Sequence, residues 1–229
     1  MKRSLFRRMW YNGTRRFFSL LMRYRYGVRF EYSGLEHVPA TGAMLLAANH
    51  ESFVDPPAIG AGVPRMMNYL ARESLFRASR FFAFHLRMIN VIPLELDGNA
   101  GAMITGMKES IRRLKAGEML LVFPEGKRCE DGEIHEFQSG FVILASRTHC
   151  PIMPVAIDGA YTCWARHSKK ITPGVVRIRC GEPIPADQLA LMSREEIAAE
   201  VRRRVVALQQ ELRSERTDTH TADAASSSA

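Results

Sequence analysis

The sequence predicts a mixed α/β fold, with a largely parallel sheet flanked by helices. Three observations predict it. The apolar runs at 44–48, 119–123 and 152–157 are continuous, as in strands covered on both faces. Segments of helical period separate such runs, so strands alternate with helices. The chain has 229 residues, 46% of them apolar, which suits one full core.

The elements follow in order. Residues 1–27 form a basic amphipathic segment. Through Arg29 the chain has nine cations, Lys2 to Arg29, and no acid, interleaved with Phe6, Trp10, Phe17, Leu20 and other large apolar residues. That mixture suits a helix lying on an anionic membrane, with a break expected near Gly13. A helix packed on the protein's own core with solvated arginines is the plainer alternative. The main domain spans 28–213. Strands are expected at 28–32, 43–48, 66–71, 91–94, 119–123, 152–157 and 175–180, the last alternating like an edge strand. One very apolar helix is expected over 75–89, with His85 a core or surface histidine and part of the face available to a lipid tail. A second helix runs from an Asn99 cap to Lys115, with Gly117 as its stop. A third covers 137–148. Ser193 and Glu196 make a capping box for a last helix with Ile197, Val201, Val205, Leu208 and Leu212 on one stripe. From 214 to 229 the Ser, Thr, Ala and Asp composition reads as a disordered tail.

Charge narrows the partners. A net charge of +8 and a pI of about 9.6 point to an anionic partner: phospholipid surface, phosphorylated substrate or nucleic acid. No nucleic-acid motif accompanies the basic segment, so none of that class is expected. No apolar run approaches the roughly 18–20 residues that span a bilayer. Nor does the N-terminus read as a secretory signal, so the protein is expected to stay on the side where it is made. Cys129, Cys150, Cys163 and Cys180 show no paired spacing and read as buried or incidental free thiols.

Two stretches concentrate the chemistry. In Asn49-His50-Glu51-Ser52-Phe53-Val54-Asp55-Pro56-Pro57, a histidine stands at the end of a strand with an aspartate five positions on. On one helix the two would lie about 140° apart. Proline instead ends a turn at Asp55 and starts a helix, so the turn can fold Asp55 back onto His50. Either the pair is a general base and its orienting carboxylate, or it is a helix cap beside an ordinary surface histidine. The second stretch, Glu125-Gly126-Lys127-Arg128, also leaves a buried strand. Its two cations beside a glycine suit a phosphate, and Glu125 can accept from a substrate hydroxyl or hold Arg128. A polar turn is the plainer alternative. The first glycine and the Ser/Thr of a P-loop are missing.

In that order and at that separation, the two stretches resemble the His-(four residues)-Asp and Phe-Pro-Glu-Gly-Thr-Arg blocks of the glycerolipid acyltransferases, closest to the bacterial 1-acylglycerol-3-phosphate acyltransferases. Val91-Ile92-Pro93-Leu94, Phe137-Gln138-Ser139-Gly140, Pro151-Ile152-Met153-Pro154-Val155 and Gly181-Glu182-Pro183-Ile184 add to the set, which covers roughly 28–185. The resemblance implies an enzyme of phospholipid synthesis on the cytoplasmic face of the membrane, peripheral or monotopic. His50 would be the base and Asp55 its support. Glu125, Gly126, Lys127 and Arg128 would hold the acceptor's phosphate, and Pro154 would shape the pocket. Acyl-CoA or acyl-carrier protein would be the donor and lysophosphatidic acid the acceptor, with no metal or cofactor. Two departures bear on the acceptor: Lys127 replaces the family's threonine, and Leu96 stands where the second block usually ends in arginine. Another lysophospholipid acceptor is the alternative within the class. A non-catalytic basic membrane- or nucleic-acid-binding module is the alternative outside it. A hydrolase lacks its Gly-x-Ser-x-Gly elbow.

Overall fold

The computed structural model describes the backbone of residues 5–94 and 100–226, and the side chains of 5–94 and 103–216. The expected Asn99 cap and Leu96 lie outside them. In chain order the elements are α1 (Leu5–Tyr26), β1 (Val28–Ser33), β2 (Met44–Ala48), α2 (Asp55–Gly62), β3 (Met67–Arg72), α3 (Ser74–Arg77), α4 (Arg80–Met88) and β4 (Val91–Leu94). Then come α5 (Ala100–Lys115), β5 (Met119–Val122), α6 (Val142–Thr148), β6 (Ile152–Asp158), α7 (Ala160–Trp164), β7 (Gly174–Cys180), α8 (Ala186–Leu189) and α9 (Arg194–Ser226).

The seven strands of the described residues form one sheet in the order β1-β7-β6-β2-β5-β3-β4. Every neighbouring pair is parallel except β6 and β7. β2 sits at the centre between β6 and β5, and all five of its residues are buried. Its alternate side chains feed two cores. Met44, Leu46 and Ala48 face Tyr11 and Met22 of α1 and Ala58 and Ile59 of α2. Leu45 and Ala47 face Leu114 of α5, Leu144 of α6 and Val201 and Val205 of α9. A strand covered on both faces needs no polar alternation, which is why the run was readable.

Several expectations change. α1 is one continuous helix through Gly13. It packs on the core along one side only. Tyr11 and Met22 are buried in the core, while Leu5, Phe6, Met9, Phe17 and Leu20 are exposed. The 75–89 segment is two helices, because Ser79 is extended and its side chain caps α4 by accepting from Phe82 N at 3.0 Å. Helix α6 starts late: Gln138 N bonds Pro124 O, and a short 3₁₀ turn at Ser139–Phe141 precedes it. The strand at 175–180 is not an edge. It lies between β1 and β6, and its polar face is covered by ion pairs, Arg177 with Glu31 and Arg179 with Glu211 and Glu215 of α9. Alternation there records salt bridges rather than open solvent. Finally, α9 continues past 213. Glu215 pairs with Arg179 and Arg216 with buried Asp158, so the domain boundary drawn at 213 cuts through a docked helix. The Ser193–Glu196 capping box forms as expected, with both reciprocal bonds in place.

Candidate active site

The C-terminal ends of β2 and β5 open on the same edge, since Met44 to Ala47 pair in parallel with Met119 to Val122. Open α/β sheets bind ligands in such a crevice. Past β2, the Asn49 amide bridges to β6, donating to Ile157 O at 2.9 Å and accepting from Ile157 N at 2.8 Å. This extends the strand pairing by side chain and holds the next residue, His50, at the rim.

Asp55 is fully buried and opens α2 directly before Pro56. One of its oxygens, Oδ2, collects three donors: His50 Nδ1 at 2.8 Å, Glu51 N at 2.7 Å and Ser52 N at 2.7 Å. So Asp55 both organises the turn and orients the histidine, and it does not cap α2: Val54 holds the cap position, and the N–H groups that Asp55 accepts from precede the helix. With Asp55 accepting, Nδ1 carries the ring proton and Nε2 is left with its lone pair. The imidazole stacks on Phe123, ring centres 3.9 Å apart, and is 18% exposed. Those constraints leave a partly open nitrogen base in a fixed tautomer.

Both oxygens of Glu125 are engaged by backbone donors. Its Oε1 accepts from His50 N at 2.8 Å and its Oε2 from His135 N at 3.2 Å. Burial pushes its carboxyl above the usual carboxylate range, and the backbone donors of His50 and His135 oppose that shift. It acts as a clamp between β5 and the His50 turn, and Cys129 N donating to His50 O at 2.7 Å closes the other side. Gly126 is exposed at φ +73°, the left-handed region that favours glycine, and its N–H closes a turn on Phe123 O. Lys127 is 63% exposed, with Glu130 4.0 Å away. Arg128 lies 3.4 Å above the Phe53 ring, and one guanidinium nitrogen is buried without a hydrogen-bond partner among the described residues. Burial lowers its pKa, Arg166 and Arg72 add to that, and Asp55 opposes it. A buried guanidinium N–H without an acceptor costs free energy. Pro154 is buried in β6, in register with Ala47 of β2.

The sequence reading missed Glu51. It is buried beneath the turn and accepts from Gln209 Nε2 of α9 and from Tyr161 N, both at 2.9 Å. Burial raises its carboxyl well above the ordinary value, and neighbouring Asp55 adds to this. Between a histidine and a serine it looks like a solvated loop residue; its partners Tyr161 and Gln209, distant in sequence, reveal otherwise. The four cysteines are free and buried. Among the described residues no helix is long and apolar enough to cross a membrane.

The sequence profile of the Acyltransferase family matches residues 29–158, which include His50, Asp55, the residues from Phe123 to Arg128, and Pro154. The chain belongs to that family. This acyltransferase is 28% identical over 166 residues to the 1-acyl-sn-glycerol-3-phosphate acyltransferase of Bacillus subtilis, covering 72% of this chain and 78% of that one. It is 26% identical over 171 residues to the human 1-acyl-sn-glycerol-3-phosphate acyltransferase alpha, covering 74% of this chain and 60% of the human one. The match thus spans about three fifths of the human relative's length. The crystal structure of the LPA acyltransferase PlsC from Thermotoga maritima superposes on the acyltransferase with a TM-score of 0.72 and 28% identity, covering 89% and 88% of the two chains.

Proposed function

We propose that this acyltransferase moves a fatty acyl group from a thioester donor, acyl-CoA or acyl-carrier protein, to the 2-hydroxyl of lysophosphatidic acid. The observation that carries the reading is the His50–Asp55 pair at 2.8 Å, presented at the edge where Arg128 keeps a buried N–H without a partner among the described residues. His50 Nε2 takes the proton of the acceptor hydroxyl as its oxygen attacks the thioester carbonyl. The tetrahedral intermediate collapses, the C–S bond breaks, and the sulfur leaves with the proton from His50. Asp55 supports the imidazolium between these steps. No covalent enzyme intermediate is involved. Arg128 takes the acceptor's phosphate, Lys127 adds a second cation from the exposed rim, and Gly126 lets the backbone approach. Glu125 and Pro154 hold the frame. In the same reading the exposed apolar residues of α1, interleaved with Arg8, Arg16 and Arg23, rest on the anionic cytoplasmic face of a membrane.

The test is thioester-dependent acylation of lysophosphatidic acid by purified protein in detergent, beside a panel of other lysophospholipids. Transfer to lysophosphatidic acid is expected, with His50→Ala lowering kcat/KM by on the order of 10³-fold. Unimpaired His50→Ala activity defeats the mechanism. Transfer only to a different head group moves the acceptor assignment, as the Lys127 and Leu96 departures would allow.

A further inference from the structure

A cleft of about 620 Å³ opens between the end of α1 and the loop after α7. Arg25, Tyr26, Trp164, Lys169, Lys170 and Ile171 line it. Its volume lies in the roughly 300–1,000 Å³ range of small-molecule sites. Its described lining includes three cations and no acid, so its interior favours anions.

Topology puts the cleft on the same edge as His50. β7 is antiparallel to β6, and β1 is parallel to β7, so β1 and β7 begin where β2 and β6 end. Gly174 N donates to Gly27 O at 3.2 Å, joining those two starts beside the cleft. Side chains complete the path. Ser52 Oγ, two residues from His50, donates to Trp164 O at 2.6 Å. The Trp164 ring packs on Phe53 at 5.2 Å, and Phe53 carries Arg128. The loop itself is internally braced: Trp164 Nε1 bonds Ser168 O, Ser168 Oγ bonds Lys170 O, and Thr172 N bonds Cys163 O. The two lysines are therefore displayed from an ordered turn, with Arg166 lying between them and Arg128 in sequence terms and close enough to lower the Arg128 pKa.

We propose that this cleft binds the phosphate-bearing nucleotide end of coenzyme A, with the pantetheine arm crossing Trp164 to bring the thioester to His50. The assignment rests on the acyl-transfer reading above and makes coenzyme A the donor. Lys169, Lys170 and Arg25 meet the phosphates. Tyr26 and Trp164 offer aromatic surface for the adenine. A concave basic site of this size suits a nucleotide; a carrier protein needs a broad docking face of several hundred Å² per partner.

The experiment measures calorimetric binding of unacylated CoA, which needs no turnover, to the full chain and to a Lys169→Ala/Lys170→Ala variant, with Lys169→Arg/Lys170→Arg as the charge-keeping control. In parallel, kcat/KM is compared for acyl-CoA and for acyl-pantetheine, which lacks the nucleotide. Binding should weaken by at least about tenfold in the alanine variant and recover in the arginine variant. The advantage of acyl-CoA over acyl-pantetheine should shrink by the same factor. CoA binding that is absent from the wild type, or equal in the alanine variant, overturns the assignment. Loss of acyl-carrier-protein turnover or of anionic-vesicle binding with CoA affinity intact also overturns it, and gives the lysines to a protein or a lipid surface. Lysine-dependent CoA binding without acylation of any lysophospholipid instead counts against the acceptor reading, not the cleft.

Discussion

Asp55 carries more than one duty through a single oxygen. Asp55→Asn puts an amide where three donors converge, so either an N–H faces an N–H or the His50 tautomer inverts. The expected result is a fall in kcat on the order of 10³-fold or more, with KM for the acceptor little changed and a loss of roughly 1–3 kcal/mol in stability. Steady-state kinetics and urea titration on one preparation check both. Arg128→Ala should show the opposite kinetic pattern, a rise in acceptor KM of about tenfold or more with a smaller effect on kcat. An unchanged KM would remove Arg128 from the phosphate site. At this scale the sequence made the His50–Asp55 contact legible, because five residues and a proline turn set it. It gave no sign of the partners of Glu51 and Glu125. Their partners, Gln209, His50 N and His135 N, are distant in sequence or lie in the backbone, and residue type does not encode those.

Two helices carry carboxylates held far below their ordinary pKa of 4.5. Arg112 and Arg113 bring Glu109 of α5 to about 2, and Arg203 and Arg204 do the same for Glu200 of α9. Each binds fewer protons folded than unfolded. Their contribution is therefore complete above about pH 4.5 and drains away as pH falls toward 2. Both carboxylates are partly exposed and their arginine partners mostly lie at the surface, so the effect is modest and salt-sensitive. A Glu109→Gln/Glu200→Gln variant should show a flatter dependence of the urea midpoint on pH across that window; an identical slope would assign acid sensitivity elsewhere. The elements themselves were largely legible, because buried strands and capped helices carry their signals within a few residues. The 75–89 segment was not, since apolar residues flank Ser79 on both sides and only its extended, capping geometry divides them into two helices. The α9 boundary was missed because ion pairs to Asp158 and Arg179, not apolar spacing, hold its later turns.

Over the whole molecule, α1 shows a basic, aromatic face to the outside while Tyr11 and Met22 anchor it within. The full chain should bind vesicles rich in anionic lipid and release them as salt rises from about 0.05 to 0.5 M, where screening shortens from roughly 14 to 4 Å. Sedimentation with vesicles measures this, and salt-insensitive binding would leave only the apolar contribution. The order of strands was beyond the reach of the sequence, because parallel pairing depends on which faces the helices cover. One pairing has a consequence in time. Val28 of β1 pairs with Gly174 of β7, so the first strand made is completed by the last. Until β7 is made, β1 has no strand to pair with, whereas α1 can already dock through Tyr11 on Tyr69 and through Trp10 on Phe84. A long-range closure of this kind is slow, so the β1 edge closes after the His50 turn and the stretch from Phe123 to Arg128 have been made, and the strand that closes it is the one beside the proposed donor cleft.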